Sequence, residues 1–150
     1  MHILEVADPA EKRRHMPLLL LADEQEDMVL RYLDRGRMLV LEDDGEVRAV
    51  AVVTDEGDGL LELKNIAVEP AFQRRGYGRM LVGHIERAFA GEYRTLQVGT
   101  GDSPLTVPFY EACGFVRSHA VPNFFTDHYD HPIFEAGVQL VDMVYLRKSL

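Results

Sequence analysis

The chain has 150 residues, and its hydrophobic content of 47% is sufficient for one core, so the sequence predicts a single domain over residues 1–150. Its 16 basic and 25 acidic residues give a net charge of -9, which argues against nucleic acid as a partner and mildly favours cationic acceptors. A single cysteine excludes an internal disulfide. The sequence has no signal-peptide layout and no apolar run long enough to cross a membrane, so we expect a cytoplasmic protein with no membrane partner.

The amino-terminal part of the chain predicts a strand followed by two helices. Residues 1–6 form the predicted strand, and Asp8 and Pro9 are typical of an N-cap and the first helical position. That helix is predicted to reach about Leu21. A second, short helix is predicted from Glu24 to Arg35.

Three apolar strands follow and predict an antiparallel meander. Met38–Leu41 and Val47–Thr54 flank the Asp44-Gly45 pair, which is a hairpin signal because these residues tolerate positive φ angles. The third strand, Leu60–Val68, comes after the glycine-containing turn 55–59. Its carboxyl end leads directly towards a second glycine turn.

That second turn, Gln73-Arg74-Arg75-Gly76-Tyr77-Gly78, opens a helix with apolar residues at helical spacing. Gly76 and Gly78 allow the backbone to approach a bulky group, and the first amides of a helix have no internal partner. With the helix dipole added, the turn predicts a site for a phosphate or pyrophosphate. It contains neither a Walker A loop nor the G-x-G-x-x-G dinucleotide fingerprint.

The second half of the chain predicts the rest of the sheet. Thr95–Gly99 is a strand, and the helical connection before it favours parallel pairing with Leu60–Val68. The next helix is predicted to begin with Thr106 as its N-cap and to end at Gly114. The remaining segments are a strand at 115–121, an aromatic and histidine-rich insertion at 122–135, and a last strand at Val138–Leu146.

Two of these blocks together resemble a known family. The turn Q-R-R-G-Y-G resembles the [QR]-x-x-G-x-[GA] loop of the GNAT superfamily of acyl-CoA-dependent N-acyltransferases. The block Phe109 to Phe115 resembles the Y-x-x-x-G-F segment of that family, at about the expected distance downstream. The resemblance implies an α/β (α+β) fold: a mixed, mostly antiparallel sheet of about seven strands, about four helices, and a splayed parallel strand pair at the cofactor cleft.

The resemblance also implies acetyl-CoA (CoA) as the cofactor. The pantetheine arm is expected to pair with the main chain of Ile66 and Val68, and the turn amides to bind the diphosphate. At the position where family members often carry an asparagine that contacts the arm, this chain has Ser103. The cofactor-binding residues expected on this basis are Ile66, Ala67, Val68, Gln73, Arg74, Arg75, Gly76, Tyr77, Gly78, Arg79 and Ser103.

The implied reaction is acetyl transfer to a primary amine by direct attack. Tyr110 is expected to protonate the departing thiolate, and the Val68 amide to stabilise the oxyanion. Glu62 is the candidate base or water relay, since period-two alternation should place it on the same face as Ile66. Cys113 is not expected to form an acetyl-enzyme, because no cationic neighbour is visible in the sequence to lower its pKa.

Other interpretations remain open at this stage. A catalytically inactive CoA-binding sensor of the same fold would keep the glycine turn, and a site for another nucleotide would leave the 109–115 block unexplained. The acceptor region implied by the resemblance includes four acidic residues, which otherwise form a solvated helix face: Asp23, Glu24, Glu26 and Asp27.

The insertion allows more than one interpretation. Its aromatic residues either cover an acceptor pocket or simply close the edge of the sheet, and the spacing of Asp127, His128, Asp130 and His131 fits no metal-ligand pattern. The aromatic carboxy-terminal region makes a homodimer plausible. The acceptor is expected to be a small-molecule or peptide amine.

Overall fold

The computed structural model describes residues 1–150, and its main feature is a β-sheet. Its nine strands are β1 (His2–Val6), β2 (Arg37–Asp43), β3 (Glu46–Asp55), β4 (Leu60–Val68), β5 (Thr95–Gly101), β6 (Val116–Val121), β7 (Phe134–Glu135), β8 (Val138–Gln139) and β9 (Met143–Ser149). Seven of them form one sheet in the order β1-β2-β3-β4-β5-β9-β6, while β7 and β8 form a separate hairpin.

Six α-helices and one 3-10 helix accompany the sheet. The α-helices are α1 (Pro9–Arg14), α2 (Met16–Leu19), α3 (Glu26–Leu33), α4 (Tyr77–Phe89), α5 (Val107–Ala112) and α6 (Phe124–His128), and the 3-10 helix is Pro70–Phe72. No helix combines the length and the apolar character that crossing a membrane requires.

The predicted fold class is confirmed by the strand pairings. Every neighbouring pair in the large sheet is antiparallel except β4 and β5, which are parallel. Their pairing joins Leu60–Leu63 to Thr95–Val98 and then stops, although both strands continue. The two strands therefore separate at their carboxyl ends and leave a gap in the middle of the sheet.

A β-bulge coincides with this separation. Val53 pairs with Leu63 but Val52 pairs with Asn65, so Lys64 is an extra residue on β4. A bulge bends the strand and reverses the alternation of its side chains. Leu61 and Leu63 before it, and Ile66 after it, consequently all pack into the same core.

The sheet has a core on each face. The α4 and α5 side buries residues such as Leu81 and Ile85, each 0% exposed, and full burial of such a side chain stabilises the fold by about 1.5–3 kcal/mol. The other side packs α2 and α3 on β2 and β3 through Leu19, Val29 and Val50. The sheet is therefore the middle of three layers.

A buried lysine fixes the position of α3. Lys12 is 4% exposed, and its Nζ donates hydrogen bonds to the carbonyl oxygens of Leu33 and Gly36 at 3.1 and 2.7 Å. A cation at the carboxyl end of a helix satisfies carbonyls that have no partner in the helix and complements the dipole. The sequence prediction did not identify this residue.

The predicted long first helix is wrong, because the structure divides it at His15. Pro17 lies in the first turn of α2, and a proline inside a continuous helix would lack an amide donor and clash with the carbonyl four residues earlier. The second predicted helix is also shorter at both ends, since α3 spans Glu26–Leu33. The total of six α-helices exceeds the expected four because the first predicted helix is divided in two and α6 was not predicted.

The predicted last strand is also wrong in extent. Val138–Gln139 pairs with Phe134–Glu135, and the chain then leaves the strand so that Leu140 packs with Phe125 and Ile133 in a small separate core. The sheet strand begins only at Met143 and lies between β5 and β6. The insertion before it contains α6, which its sequence pattern did not predict.

Candidate active site

A cleft of about 900 Å³ occupies the gap between the diverging β4 and β5. Its walls are the end of β4, the glycine turn, the start of α4, α5, the loop after α2 and the insertion. Ten of the predicted site residues line it: Ile66, Ala67, Val68, Gln73, Arg74, Gly76, Tyr77, Gly78, Arg79 and Tyr110. Three do not: Glu62, Arg75 and Ser103.

The edge of β4 presents main-chain groups to this cleft. Glu69 donates its amide to the Arg48 carbonyl at 2.8 Å, and β3 remains paired with β4 as far as Val68. Because the hydrogen-bonding direction alternates along a strand, the main-chain groups of Ile66 and Val68 point away from β3. They face the side on which β5 has already diverged, so they are available to a ligand except for the Val68 carbonyl, which accepts a hydrogen bond from Gln73.

The glycine turn and the start of α4 form the second wall. Gly76 precedes the helix with φ of 87°, a left-handed conformation that favours glycine. The first helical hydrogen bond runs from the Met80 amide to the Gly76 carbonyl at 2.9 Å, so the amides of Tyr77, Gly78 and Arg79 have no acceptor within the helix. These three donors, with the positive end of the helix dipole, form an anion site.

Gly78 is also required for close packing. A Cβ at this position would lie 3.3 Å from the Phe109 Cζ atom and 3.7 Å from a Val68 methyl group. The glycine therefore lets α4 start directly beside both β4 and α5.

The arginines around the turn have different positions. Arg74 and Arg79 line the cleft, and Arg79 donates a hydrogen bond to the Ala112 carbonyl at 2.7 Å. Arg75 stacks instead on Phe72, with its guanidinium carbon 5.1 Å from the ring centroid. Gln73 ties the turn to the strand through a 3.2 Å hydrogen bond from its Nε2 to the Val68 carbonyl.

Tyr110 lies between the two ends of the cleft. It is 8% exposed, its ring makes edge contacts with Phe109 and Phe115, and its hydroxyl has no hydrogen-bond partner within the protein. Burial raises the pKa of the Tyr110 phenol, with smaller contributions from Cys113 and Glu135. The phenol is therefore protonated at neutral pH and has a proton to donate into the cleft.

The prediction that Glu62 shares a face with Ile66 is wrong. Glu62 alternates with Leu61 and Leu63, and the bulge at Lys64 then turns Ile66 towards the core that contains those leucines. Glu62 consequently lies on the opposite face of the sheet.

Glu62 is held in a polar row across the strands. It is 5% exposed, and its Oε1 accepts a 2.6 Å hydrogen bond from Gln97, whose own Oε1 accepts one from Arg147 at 2.7 Å. Its Oε2 lies 2.6 Å from the Nζ of Lys64, which lines the cleft. Contact between Glu62 and the cleft is thus made through Lys64.

Ser103 and Cys113 also lie outside the cleft lining. Ser103 is 2% exposed, and its Oγ accepts the Leu105 amide at 3.1 Å, so it stabilises the turn before α5. The expectation that no cation lies near Cys113 is wrong, because Arg79 and Lys148 are both neighbours. Burial is nevertheless the largest influence and raises the pKa of the thiol.

A carboxylate network occupies the far end of the cleft. Asp23 Oδ1 accepts a 2.6 Å hydrogen bond from the Tyr129 hydroxyl, and Oδ2 accepts one of 3.1 Å from Tyr32. The Tyr32 oxygen in turn accepts a 3.0 Å hydrogen bond from Asn65, whose Nδ2 also donates to the Leu19 carbonyl. Burial raises the pKa of Asp23, and the two phenolic hydrogen bonds oppose this shift.

The sequence analysis singled out Asp23 and the aromatic residues of the insertion, which include Tyr129, but not Tyr32 or Asn65. A signal for Asn65 was present, since a lone amide in the middle of the apolar strand Leu60–Val68 must find partners when it is buried. Of the other three acidic residues considered, Glu24 lines the cleft and Glu26 and Asp27 do not.

The insertion crosses this end of the cleft and is attached to the loop after α2. Besides the bond from Tyr129 to Asp23, the Asp130 amide donates to Gln25 at 3.1 Å and His131 Nε2 lies 3.1 Å from Glu24. Hydrogen bonds to Asp130 and Glu24 raise the pKa of His131. We refer to residues 129–131 as the strap.

Comparisons with known proteins give a consistent result. Residues 34–117 match the family model described as the acetyltransferase (GNAT) domain. The chain is 39% identical over 135 residues to the uncharacterized N-acetyltransferase YvbK of Bacillus subtilis, with 89% of this chain and 87% of that protein covered.

Two solved structures resemble the whole chain. A GNAT family acetyltransferase from Elizabethkingia anophelis with acetyl-CoA bound has 31% sequence identity and a TM-score of 0.90, covering 99% of this chain and 98% of that one. A Bacillus subtilis acetyltransferase in complex with CoA has 35% identity and a TM-score of 0.88, again covering 99% and 98% of the two chains.

Proposed function

Because the chain belongs to the GNAT acetyltransferase family, we propose that it transfers the acetyl group of acetyl-CoA directly to a primary amine of a small molecule or peptide. The observation that carries this proposal is the continuity of one cleft. It joins the free amides of α4, the unpaired edge of β4, the Tyr110 hydroxyl and the Asp23 carboxylate.

Acetyl-CoA is the acyl donor, and two regions of the chain are suited to hold it. The amides of Tyr77, Gly78 and Arg79, assisted by Arg74, bind the diphosphate. The main-chain groups of Ile66 and Val68 pair with the amides of the pantetheine arm. The acetyl-CoA and CoA bound to the two related structures support this assignment.

The reaction needs an oxyanion donor and an acid. The neutral amine attacks the thioester carbonyl, a C–N bond forms, and the developing oxyanion accepts a hydrogen bond from the Val68 amide. As the C–S bond breaks, Tyr110 donates its phenolic proton to the departing thiolate, and the phenol is reprotonated from solvent.

The proton released by the attacking amine requires an acceptor. Glu62 can serve only through a relay, because both of its carboxylate oxygens are occupied by Gln97 and Lys64 and it does not line the cleft. We propose that water next to Lys64 carries this proton, with Glu62 balancing the charge of the lysine.

Ligand-dependent melting and product formation test the proposal. Acetyl-CoA and CoA should raise the melting temperature, whereas ATP and NAD at equal concentration should not. An amine library screened for CoA release should then reveal turnover. Stabilisation by CoA without release from any amine would instead indicate a CoA-binding module, and stabilisation by ATP alone would contradict the proposal.

A further inference from the structure

The cleft has opposite charges at its two ends. Arg74 and Arg79 line the end at the glycine turn, Asp23 and Glu24 line the other, and Glu135 lies near Tyr110 between them. Lys64 lies on the wall between them, but its charge is matched by Glu62. A ligand that fills the second end therefore meets a surface with an excess of negative charge.

Asp23 carries a charge that no residue of the protein neutralises. Its two hydrogen-bond donors, Tyr32 and Tyr129, are neutral phenols, and no lysine, arginine or histidine lies within 4.0 Å of its carboxylate. A largely buried carboxylate without a counter-charge costs free energy in proportion to its desolvation. Binding a cation at this position would recover part of that cost.

Asn65 provides a second, uncharged acceptor in the same network. It is 4% exposed, and both hydrogens of its amide are used, on the Leu19 carbonyl and the Tyr32 hydroxyl. Since the Leu19 carbonyl can only accept, the nitrogen must lie on that side, which leaves Oδ1 buried in the cleft wall without a donor. An unpaired buried carbonyl of this kind needs an N–H or O–H from a ligand or from water.

A separate acceptor lies beside the proposed acid. Glu135 Oε2 is inaccessible to bulk solvent and has no hydrogen-bond partner, and its charge contributes to the raised pKa of Tyr110. No hydrogen bond and no shared partner connects Glu135 to the network of Asp23 and Asn65. The cleft thus offers two independent anionic positions, one of them next to the reacting centre.

Two buried side-chain atoms of cleft-lining residues have no hydrogen-bond partner, Asn65 Oδ1 and Glu135 Oε2, and both are acceptors. A matching ligand is therefore rich in donors and carries positive charge at two points. We infer that the natural acceptor is a diamine, an inference that rests on the proposed function. The nitrogen that reacts lies beside Glu135 and Tyr110, and a second ammonium group binds Asp23 and Asn65. A monoamine fills only the first position.

A matched set of acceptors tests this inference. Initial rates of CoA release are measured for straight-chain diamines of increasing length, and for the alkylamines and amino alcohols with the same number of carbons. At the best length, kcat/KM for the diamine should exceed that for the amino alcohol by about 10-fold or more, since a charge-assisted hydrogen bond is about twice as strong as a neutral one.

Variants test whether the preference for diamines arises at Asp23 and whether Glu135 binds the nitrogen that reacts. Asp23→Asn keeps the size of the side chain and one of its two acceptor oxygens but removes the charge. We expect kcat/KM for the diamine to fall to about the value of the amino alcohol, and by a larger factor than kcat/KM for the alkylamine. Glu135→Gln should lower kcat/KM for diamine and alkylamine by similar factors. Glu26→Gln makes the same charge change on the exposed face of α3, outside the cleft, and should alter neither.

Several outcomes would overturn the inference. The inference fails if amino alcohols have the same kcat/KM as diamines. It also fails if Asp23→Asn lowers kcat/KM equally for diamine and alkylamine, or if Glu135→Gln lowers neither. Each of these outcomes would leave acetyl transfer established. CoA release from no amine at all would instead refute the proposed function. Stabilisation by CoA, measured for each variant, verifies that the fold is intact. If Asp23→Asn loses this stabilisation, Asp23→Glu, which keeps the charge on a longer side chain, must retain the preference for diamines and favour a shorter one, or the inference fails.

Discussion

The two ends of the cleft are built in different ways. The glycine-turn end consists of main-chain groups from one continuous run, from Ile66 on β4 to Arg79 on α4. The far end, which we call the acceptor end, consists of side chains from the loop after α2, α3, β4 and the insertion: Asp23, Tyr32, Asn65 and Tyr129. Tyr129 and Asp23 are separated by 106 positions in the chain. The first end is fixed by local backbone geometry, and the second by long-range packing.

This difference has a functional consequence. Backbone amides at a helix start bind any diphosphate in the same way, and many side-chain substitutions leave them in place. A network such as Asp23, Tyr32, Tyr129 and Asn65 is changed by single substitutions, so the acceptor can change while the cofactor does not. The two ends should therefore respond separately to mutation.

The largest expected effect is at the glycine-turn end. Gly78→Val introduces a Cβ at 3.3 Å from the Phe109 ring and two further methyl groups, so the ring or the start of α4 has to move. Losing about two charge-assisted hydrogen bonds at roughly 2 kcal/mol each should weaken CoA binding about 1,000-fold, measured by calorimetry.

Gly91→Val is the matched control for this substitution. A Cβ at Gly91 has no neighbour within 4 Å, and the residue lies beyond the other end of α4. Equal CoA affinities for the two variants would show that the turn does not hold the diphosphate.

The second largest effect, a loss of kcat, is expected for Tyr110, which lies where the two ends of the cleft meet. Tyr110→Phe removes the phenolic proton but keeps the ring contacts with Phe109 and Phe115. General acid catalysis contributes about 10²–10⁴-fold, so kcat should fall about 100-fold or more with the CoA dissociation constant unchanged. Tyr93→Phe, outside the cleft, is the control, and an unaltered kcat in Tyr110→Phe would exclude the acid role.

The same contrast explains what could be read from the sequence. The antiparallel strands and the glycine turn were predicted because they depend on local signals: two-residue periodicity, Asp44-Gly45, and Gly76 before a helix. The structure bears out β4 as Leu60–Val68 and the parallel pairing of β4 with β5.

The failures concern features without a local signal. The bulge at Lys64 inverts the alternation that placed Glu62 with Ile66, and nothing in an apolar strand marks where an extra residue occurs. The partners of Asn65 at Leu19 and Tyr32 lie 46 and 33 positions away, so only the folded chain reveals them. The acceptor end was accordingly the part least accessible to prediction.

Substitution of Glu62, which contacts the cleft through Lys64, should have a smaller effect on kcat/KM. Glu62→Gln leaves the lysine charge unmatched in the cleft wall, which disfavours an ammonium acceptor and removes the proposed relay. We expect kcat/KM for the amine to fall about 10-fold at neutral pH, with CoA affinity nearly unchanged.

The pH profile distinguishes the two contributions of Glu62. If Glu62 serves the relay, the loss should shrink as pH rises, because more of the amine is then neutral before it binds. A loss that is constant across pH would leave only the electrostatic contribution. Glu92→Gln, an exposed position beyond α4, is the control for the change in net charge.

The smallest expected effect is on the strap. Hydrogen bonds to Asp130 and Glu24 raise the pKa of His131 above its value in the unfolded chain, so the stabilisation is fully present below the unfolded pKa and is lost as pH rises through the folded one. His131→Gln should therefore lower the melting temperature slightly at about pH 5.5 and leave it unchanged at about pH 8.5. His128→Gln, whose ring contacts the Phe124 carbonyl and no carboxylate, should show no such difference. If His131→Gln lowers the melting temperature equally at both pH values, protonation of His131 does not hold the strap against the loop after α2. An unchanged CoA affinity would confine the effect to the acceptor end.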